Sequence, residues 1–190
     1  MNKFKLLINS PRIIPHIICY MLCKNKRYII NKDILARPQY RNIKPNGNLL
    51  LWQLCCTLID AAEFRNLFYM RIGIIGHLLN IFLPKISSMR LSLHIAEGFC
   101  PIHSYSTIIN GAAQIGRNCT IYHCVTIAVE KSGVPTIGDN VEIGAGAIII
   151  GGIKIGSNVN IGAGAIVVDD VPDNSTVICQ KARIIPHIRD

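Results

Sequence analysis

The chain of 190 residues lacks any apolar run long enough to cross a membrane. Its longest apolar stretches, at residues 13–23, 49–62 and 72–84, are each interrupted by histidine, proline or another polar residue. A membrane-spanning helix needs ~20 predominantly apolar residues. Two lysines near the N-terminus precede a short apolar run, but that run ends too early for a secretory signal. We therefore expect a cytoplasmic protein.

Regular cysteine spacing is also lacking. The chain has eight cysteines but no CxxC pair, whereas zinc sites and disulfide frameworks usually show repeated short spacings. The adjacent Cys55 and Cys56 lie in an apolar stretch, which is typical of small core residues in a reducing compartment. We expect neither a zinc site nor any other metal.

Acidic residues are scarce in the first half. Residues 1–93 carry 14 Lys and Arg against Asp33, Asp60 and Glu63, a net charge of +11, whereas residues 94–190 carry −2. A basic, apolar half indicates contact with a membrane surface, a phosphate-bearing substrate or a nucleic acid, or else the solvated face of an ordinary helical domain. No nucleic-acid motif or interleaved aromatics accompany the charge, so we expect no nucleic-acid partner.

An apolar residue recurs at every sixth position in the second half. The series is Ile109, Ile115, Ile121 and Ile127, then, after four extra residues, Ile137, Ile143, Ile149, Ile155, Ile161 and Val167. For all of these except Ile127, the residue four positions later is small or β-branched. A period of six does not fit an α-helix but fits a parallel β-helix, in which short strands alternate with turns and successive coils stack. The sequence therefore predicts a mainly β fold.

The first half predicts helices over residues 48–62 and 64–83, the second ended by Pro84, with a loop at 38–45. We divide the chain into a helical N-terminal domain (1–90), a hexapeptide-repeat β-helix (91–178) and a C-terminal tail (179–190).

Six motifs of the second half are recognisable. They are AEGFCPIH at 96–103, IINGAAQIG at 108–116, CTIYHCVTI at 119–127, PTIGDNV at 135–141, and IGAGA at both 143–147 and 161–165. Together they resemble the hexapeptide-repeat acyltransferases and, among them, the serine acetyltransferases. The resemblance implies a left-handed β-helix, a homotrimer or dimer of trimers, acetyl-CoA as co-substrate, and active sites in grooves between subunits.

His103 matches the position of the family's catalytic histidine. Transfer of an acetyl group to a hydroxyl needs a base for the proton and donors for the oxyanion, and histidine suits the first task. In a regular coil this position would point inward, so the alternative is a buried structural histidine. Pro101 and the polar run after His103 indicate an irregular coil, from which the ring reaches the groove.

Further site residues follow from the resemblance. Ala145 and Ala163 match small residues along which the pantetheine arm of CoA runs, and Ala128 matches a glycine that makes backbone contacts to it. Lys181 and Arg183 are expected to meet the CoA phosphates. For the alanines, the alternative is simple packing at a tight corner.

His123 and the inserted segment 128–136 complete the candidate site. We expect His123 on an outward-facing strand position stacked near His103, either in contact with the substrate or merely solvated. The four extra residues predict a loop at one corner. In the family this loop covers the groove; the alternative is a passive connector.

The chain departs from the serine acetyltransferase pattern at residues that orient the base and grip the amino acid. Ile102 replaces an aspartate, and Gly133 and Val134 replace an Arg-His pair. The expected acceptor is therefore serine or, as an alternative, a sugar of a capsular or exopolysaccharide precursor. In the second case, the basic half would hold the protein near the precursor by binding membrane-linked phosphate. An alternative of another class is a non-catalytic β-helix scaffold. A carbonic-anhydrase-like member would need three zinc-ligand histidines, and this half offers only His103 and His123 in plausible places.

Overall fold

A computed structural model describes residues 3–42 and 47–180. Its N-terminal half is helical. The helices are α1 (Lys3–Leu22), α2 (Arg27–Leu35), α3 (Gly47–Asp60), α4 (Ala62–Ile72) and α5 (Ile75–Leu79), with a short 3-10 turn at Lys24–Lys26. Across these described ranges, no helix combines the length and apolar character that crossing a membrane requires.

Helix α1 continues through Pro11 and Pro15, although each proline lacks the N–H that an interior helical position donates. The helix packs against α3 and buries Ile13, His16 and Tyr20. This tertiary burial offsets the lost backbone hydrogen bonds, which is why the prolines do not end the helix.

The second predicted helix is two helices. Helix α4 ends at Ile72 because Gly73 adopts a φ of +78°, a conformation that favours glycine, and the short α5 follows. The prediction of one helix over 64–83 is therefore wrong, and Gly73 is the residue that interrupts it. The predicted first helix, 48–62, corresponds to α3, and residues 38–42 of the predicted loop form turns.

The second half is a parallel β-helix. Its strands are β1 (His94–Ile95), β2 (Cys100–Pro101), β3 (Ile108–Ile109), β4 (Gln114–Ile115), β5 (Thr120–Ile121), β6 (Thr126–Ala128), β7 (Thr136–Ile137), β8 (Glu142–Ile143), β9 (Ile148–Ile150), β10 (Lys154–Ile155), β11 (Asn160–Ile161), β12 (Ile166–Val167) and β13 (Thr176–Val177). They form a first sheet (β1-β4-β7-β10), a second (β2-β5-β8-β11-β13) and a third (β3-β6-β9-β12), all parallel. Each coil gives one strand to each sheet. The predicted fold class, a hexapeptide-repeat β-helix with a helical N-terminal domain, is confirmed.

The isoleucines of successive coils pair directly. Ile121 lies opposite Ile143, and Ile127 opposite Ile149, in the parallel ladders, and all four side chains are buried. Each such burial contributes roughly 1.5–3 kcal/mol. A register slip by one residue would turn this column outward, so the repeat of six also fixes the register.

An asparagine ladder lines the corner between the first and second sheets. Asn118, Asn140, Asn158 and Asn174 all have φ of +55° to +57°, which asparagine tolerates better than most residues. Each Nδ2 donates to the Oδ1 of the next asparagine at 3.0 Å. The ladder stabilises the stacking of the coils, and the sequence pattern of isoleucines did not reveal it.

A buried ion pair joins the helices to the first coil. Asp33 accepts hydrogen bonds from Arg71 Nε (2.9 Å) and from the N–H groups of Gly98 (2.8 Å) and Phe99 (3.0 Å), and Arg71 also donates to the carbonyl of Ala96 (2.6 Å). Burial raises the pKa of the Asp33 carboxyl to about 6, while Arg71 and the two N–H groups oppose the rise. Because both parts share this pair, the division at residue 90 stays a prediction.

Candidate active site

His103 lies in a bulge of the first coil. Strand β3 begins eight residues after β2 begins, whereas the same interval is six residues in the next three coils. His103 and Ser106 both adopt positive φ, +47° and +53°, and the N–H of Tyr105 donates to the carbonyl of His103 at 2.7 Å. Two extra residues are therefore accommodated here by a tight outward turn.

The bulge reverses which side chain points inward. Ser104 is fully buried, and its Oγ donates to the carbonyl of Ile121 at 3.2 Å. The His103 ring is exposed. The coil is thus irregular, as expected from Pro101 and the polar run, and the alternative of a buried structural histidine is excluded.

The bulge with His103 lies at the corner between the second and third sheets. The turn residues of successive coils stack in a column at this corner. The N–H of Cys124 donates to the carbonyl of Tyr105, that of Gly146 to His123, and that of Gly164 to Ala145, each at 2.9 Å. Tyr105, His123, Ala145 and Ala163 therefore follow one another along the corner; we call these four residues the corner column. At ~4.8 Å per coil the column extends over ~14 Å. His103 lies two residues before its first member.

The structure corrects the expected position of His123. The residue lies in the turn between β5 and β6 and not on a strand, and it stacks on Tyr105 and not on His103. The cause is the two-residue bulge, which displaces His103 from the regular ladder. The His123 side chain is exposed, so its predicted role in substrate contact stays a prediction.

Small residues keep the lower part of the corner open. Ala145 is half-buried and Ala163 is exposed, so neither is a core-packing residue. Gly146 and Gly164 have φ of +71° and +70°, and a Cβ built on either would meet nothing within 4 Å. The surface beside the column is therefore smooth and free of projecting side chains at these two positions, as an extended ligand arm requires.

The inserted segment forms a tight hairpin at a different corner, between the third and first sheets. Glu130 and Gly133 exchange two backbone hydrogen bonds of 3.0 Å, and the N–H of Gly152 donates to Ser132 Oγ at 3.0 Å. Ala128, half-buried, ends β6 where this loop begins. The expected loop is present, but within one chain it does not share a corner with His103.

Among the described residues, the His103 ring has no hydrogen-bond partner. In ranges 3–42 and 47–180, no side chain hydrogen-bonds to its ring, and no group of three His, Cys, Asp or Glu could hold a metal ion. Burial raises the pKa of the Cys100 thiol to about 11 and also raises that of Cys119, so neither is a ready nucleophile. Lys181 and Arg183 lie outside the described residues.

Comparisons with known proteins agree with this geometry. The family model described as bacterial transferase hexapeptide (six repeats) matches residues 135–169. The putative colanic acid biosynthesis acetyltransferase WcaB of Escherichia coli K12 is 43% identical over 93 residues, which cover 47% of this chain and 57% of that protein. The serine acetyltransferase of Synechococcus elongatus is 34% identical over 125 residues, 63% of this chain and 51% of that protein. The chain thus spans about half the length of these relatives.

Solved serine acetyltransferases share the fold. That of Neisseria gonorrhoeae superposes with a TM-score of 0.64 at 26% identity, over 90% of this chain and 71% of that chain. Isoform 3 of Entamoeba histolytica, solved with cysteine, gives a TM-score of 0.66 at 24% identity, over 86% and 62%. The chain is a hexapeptide-repeat β-helix protein. Within that class, its resemblance to the serine acetyltransferases is confirmed.

Proposed function

We propose that the chain is an acetyl-CoA-dependent O-acetyltransferase of the serine acetyltransferase type, with His103 as general base. The observation that carries the proposal is the position of the exposed His103 ring at the head of the corner column, above Ala145 and Ala163. The names of the relatives, all acetyltransferases, support the same reaction.

His103 would take the proton of the acceptor hydroxyl as its oxygen attacks the thioester carbonyl. The tetrahedral intermediate then expels the CoA thiolate, which takes the proton from the imidazolium, and an acetyl ester is formed. Backbone N–H groups at the irregular corner would hold the oxyanion. No covalent enzyme intermediate is needed, in keeping with the buried thiols of Cys100 and Cys119.

The corner column suits the pantetheine arm of acetyl-CoA because its last two members, half-buried Ala145 and exposed Ala163, are small. Ala128 would add backbone contacts to the pantetheine arm. Lys181 and Arg183 would bind the CoA phosphates through their positive charges. A homotrimer, or a dimer of trimers, would bring the 130–133 hairpin of one subunit to the His103 corner of its neighbour. The cytoplasmic location expected from the sequence is part of the same proposal.

Two acceptors compete. The serine acetyltransferase neighbours favour serine. A sugar of a capsular or exopolysaccharide precursor is the second candidate, favoured by the similarity to WcaB and by Ile102, Gly133 and Val134 at positions where serine acetyltransferases carry charged residues. His123 is the residue of the column that we expect to contact the acceptor.

The experiment is release of the CoA thiol by the purified chain with L-serine and with a panel of saccharides. Acceleration by serine supports the first acceptor, and acceleration by a saccharide alone supports the second. A His123→Ala variant should raise the KM for the acceptor and leave that for acetyl-CoA unchanged. If no acceptor in either class accelerates thiol release, the non-catalytic scaffold is the better description.

A further inference from the structure

Helix α1 has two apolar faces, and the structure covers only one of them. Ile13, His16 and Tyr20 are buried toward the other helices. On the opposite side, an apolar stripe is exposed, with Ile14 at 51%, Leu22 at 75%, and Ile18 and Met21 between these values. Spacings of four, three and one place these residues on one side of the helix. We call Ile14, Ile18, Met21 and Leu22 the outer face of α1.

A contiguous exposed apolar stripe on a helix indicates an interaction surface. The charge around the stripe indicates its chemistry. Residues 3–42 contain nine Lys and Arg and a single acidic residue, Asp33, which is 1% exposed and paired with Arg71. This part of the surface therefore presents cations with no exposed carboxylate among them.

Basic side chains lie at the C-terminal end of the outer face. Lys24 and Lys26 are exposed just after Leu22. The Arg27 side chain donates to the carbonyl of Met21 and so lies against the same end of the helix. An apolar stripe with flanking lysine and arginine is the pattern of helices that lie in the membrane interface.

Charge complementarity favours a lipid surface over a second copy of the chain as the partner of the outer face of α1. A second copy of the chain docked through the same face would bring these cations close to their own copies, with no carboxylate on residues 3–42 free to pair with them. An anionic lipid surface offers phosphates for the cations and an apolar boundary for the stripe. Because α1 itself contains basic residues and does not qualify as a spanning helix, it would lie on the bilayer.

We propose that the outer face of α1 binds the surface of an anionic membrane. Ile14, Ile18, Met21 and Leu22 enter the boundary between headgroups and acyl chains, and Lys24 and Lys26 contact lipid phosphates. The inference concerns a surface remote in sequence from His103 and does not depend on the reaction. Vesicle binding without acetyl-CoA therefore tests it separately from catalysis.

The test is co-sedimentation of the full chain with vesicles of phosphatidylcholine alone or with about one third phosphatidylglycerol. We expect binding to the mixed vesicles at about 0.1 M salt, and binding at least tenfold weaker without anionic lipid or at about 0.5 M salt. The Ile14→Gln/Ile18→Gln variant should bind at least tenfold more weakly than the unmodified chain. Its thermal unfolding should be unchanged because both residues are exposed.

Two further variants sharpen the result. Lys24→Glu/Lys26→Glu keeps the apolar stripe and should lose the preference for anionic vesicles. Ile74→Gln/Ile81→Gln removes two isoleucines elsewhere in the helical half that are more exposed than Ile14 and Ile18, and this variant should bind as the unmodified chain does. A comparable loss in this control would mean general hydrophobic adhesion and would overturn the assignment to α1.

Other outcomes also overturn the proposal. One is an unmodified chain that stays in the supernatant with anionic vesicles at low salt. Another is vesicle binding that survives both α1 variants. If the chain ignores vesicles and Ile14→Gln/Ile18→Gln instead dissociates an assembly in analytical ultracentrifugation, the occupant of the face is a second copy and not a membrane.

Discussion

Cys124 donates its backbone N–H to the carbonyl oxygen of Tyr105 at 2.9 Å, and this bond sets the register of the second coil on the first at the active-site corner. Because Tyr105 is already in register, the two extra residues of the first coil are taken up before it, where His103 lies. This ladder bond thus locates the two extra residues at 103 and 104, just before the first member of the corner column.

The bulge predicts an unusual pattern of stability. His103 has a φ of +47°, a region that glycine adopts freely and β-branched residues avoid. We expect His103→Gly to change the free energy of unfolding by no more than about 0.5 kcal/mol, and His103→Val to lower it by about 1–2 kcal/mol. Urea denaturation of both variants is the measurement. Equal stability of the two would show that the turn at residue 103 is not left-handed.

The open corner predicts a selective effect on the co-substrate. Ala163→Trp places a large side chain on an exposed position of the corner column and should raise the KM for acetyl-CoA about tenfold or more, about 1.4 kcal/mol of binding. Stability should hold because the site is not in the core. The matched control is Lys154→Trp, an exposed position on the first sheet, whose KM should stay unchanged. An unaltered KM in Ala163→Trp would remove the column from the CoA site.

The buried ion pair predicts a large loss of stability. Asp33→Asn leaves the Arg71 guanidinium buried without its carboxylate, which typically costs about 3–5 kcal/mol. The exposed pair of Arg117 and Asp139 (3.1 Å) is the control, and Asp139→Asn should cost at most about 1 kcal/mol through the ion pair itself. Denaturant midpoints measure both. Similar losses for the two variants would show that burial does not decide the strength of the Asp33 pair.

His16 predicts a dependence of stability on pH. Burial lowers the pKa of His16 to about 4, from 6.5 for an ordinary histidine, so the unfolded chain binds the proton more readily. The stabilisation is complete above pH 6.5 and is lost as the pH falls toward 4, by about 3 kcal/mol. The raised pKa of Asp33 has the opposite effect on stability, which it increases as the pH falls from about 6 to 3.8. The pH dependence of the wild type alone therefore does not isolate the contribution of His16.

The His16→Phe variant supplies the comparison because it keeps Asp33 and lacks the imidazole. The difference in unfolding free energy between wild type and this variant should favour wild type less at pH 4 than at pH 7. A difference that is independent of pH would mean that His16 titrates normally in the folded chain.

The fold could be predicted because each isoleucine of the repeat stacks on its counterpart one coil later, so the sequence period and the structural period coincide. The position of His123 was predicted incorrectly because the bulge at 103–106 shifts His103 out of register with the next coil. Counting residues shows that the first coil is longer but does not show where the extra residues lie. The Asp33–Arg71 pair spans 38 residues of chain and left no local pattern. The asparagine ladder did leave one, an asparagine that recurs at the same place in each coil after the first.

The role of His103 as general base is decided by the rate of acetyl transfer in a His103→Asn variant. Asparagine tolerates the left-handed turn but does not act as a base at neutral pH, so folding should persist while kcat falls by about 10²–10⁴-fold. His94→Asn, an exposed histidine on the first sheet, should keep the full rate. We expect a loss of rate in the first variant alone; a His103→Asn enzyme that releases CoA thiol at the wild-type rate would contradict the assignment of His103 as the base.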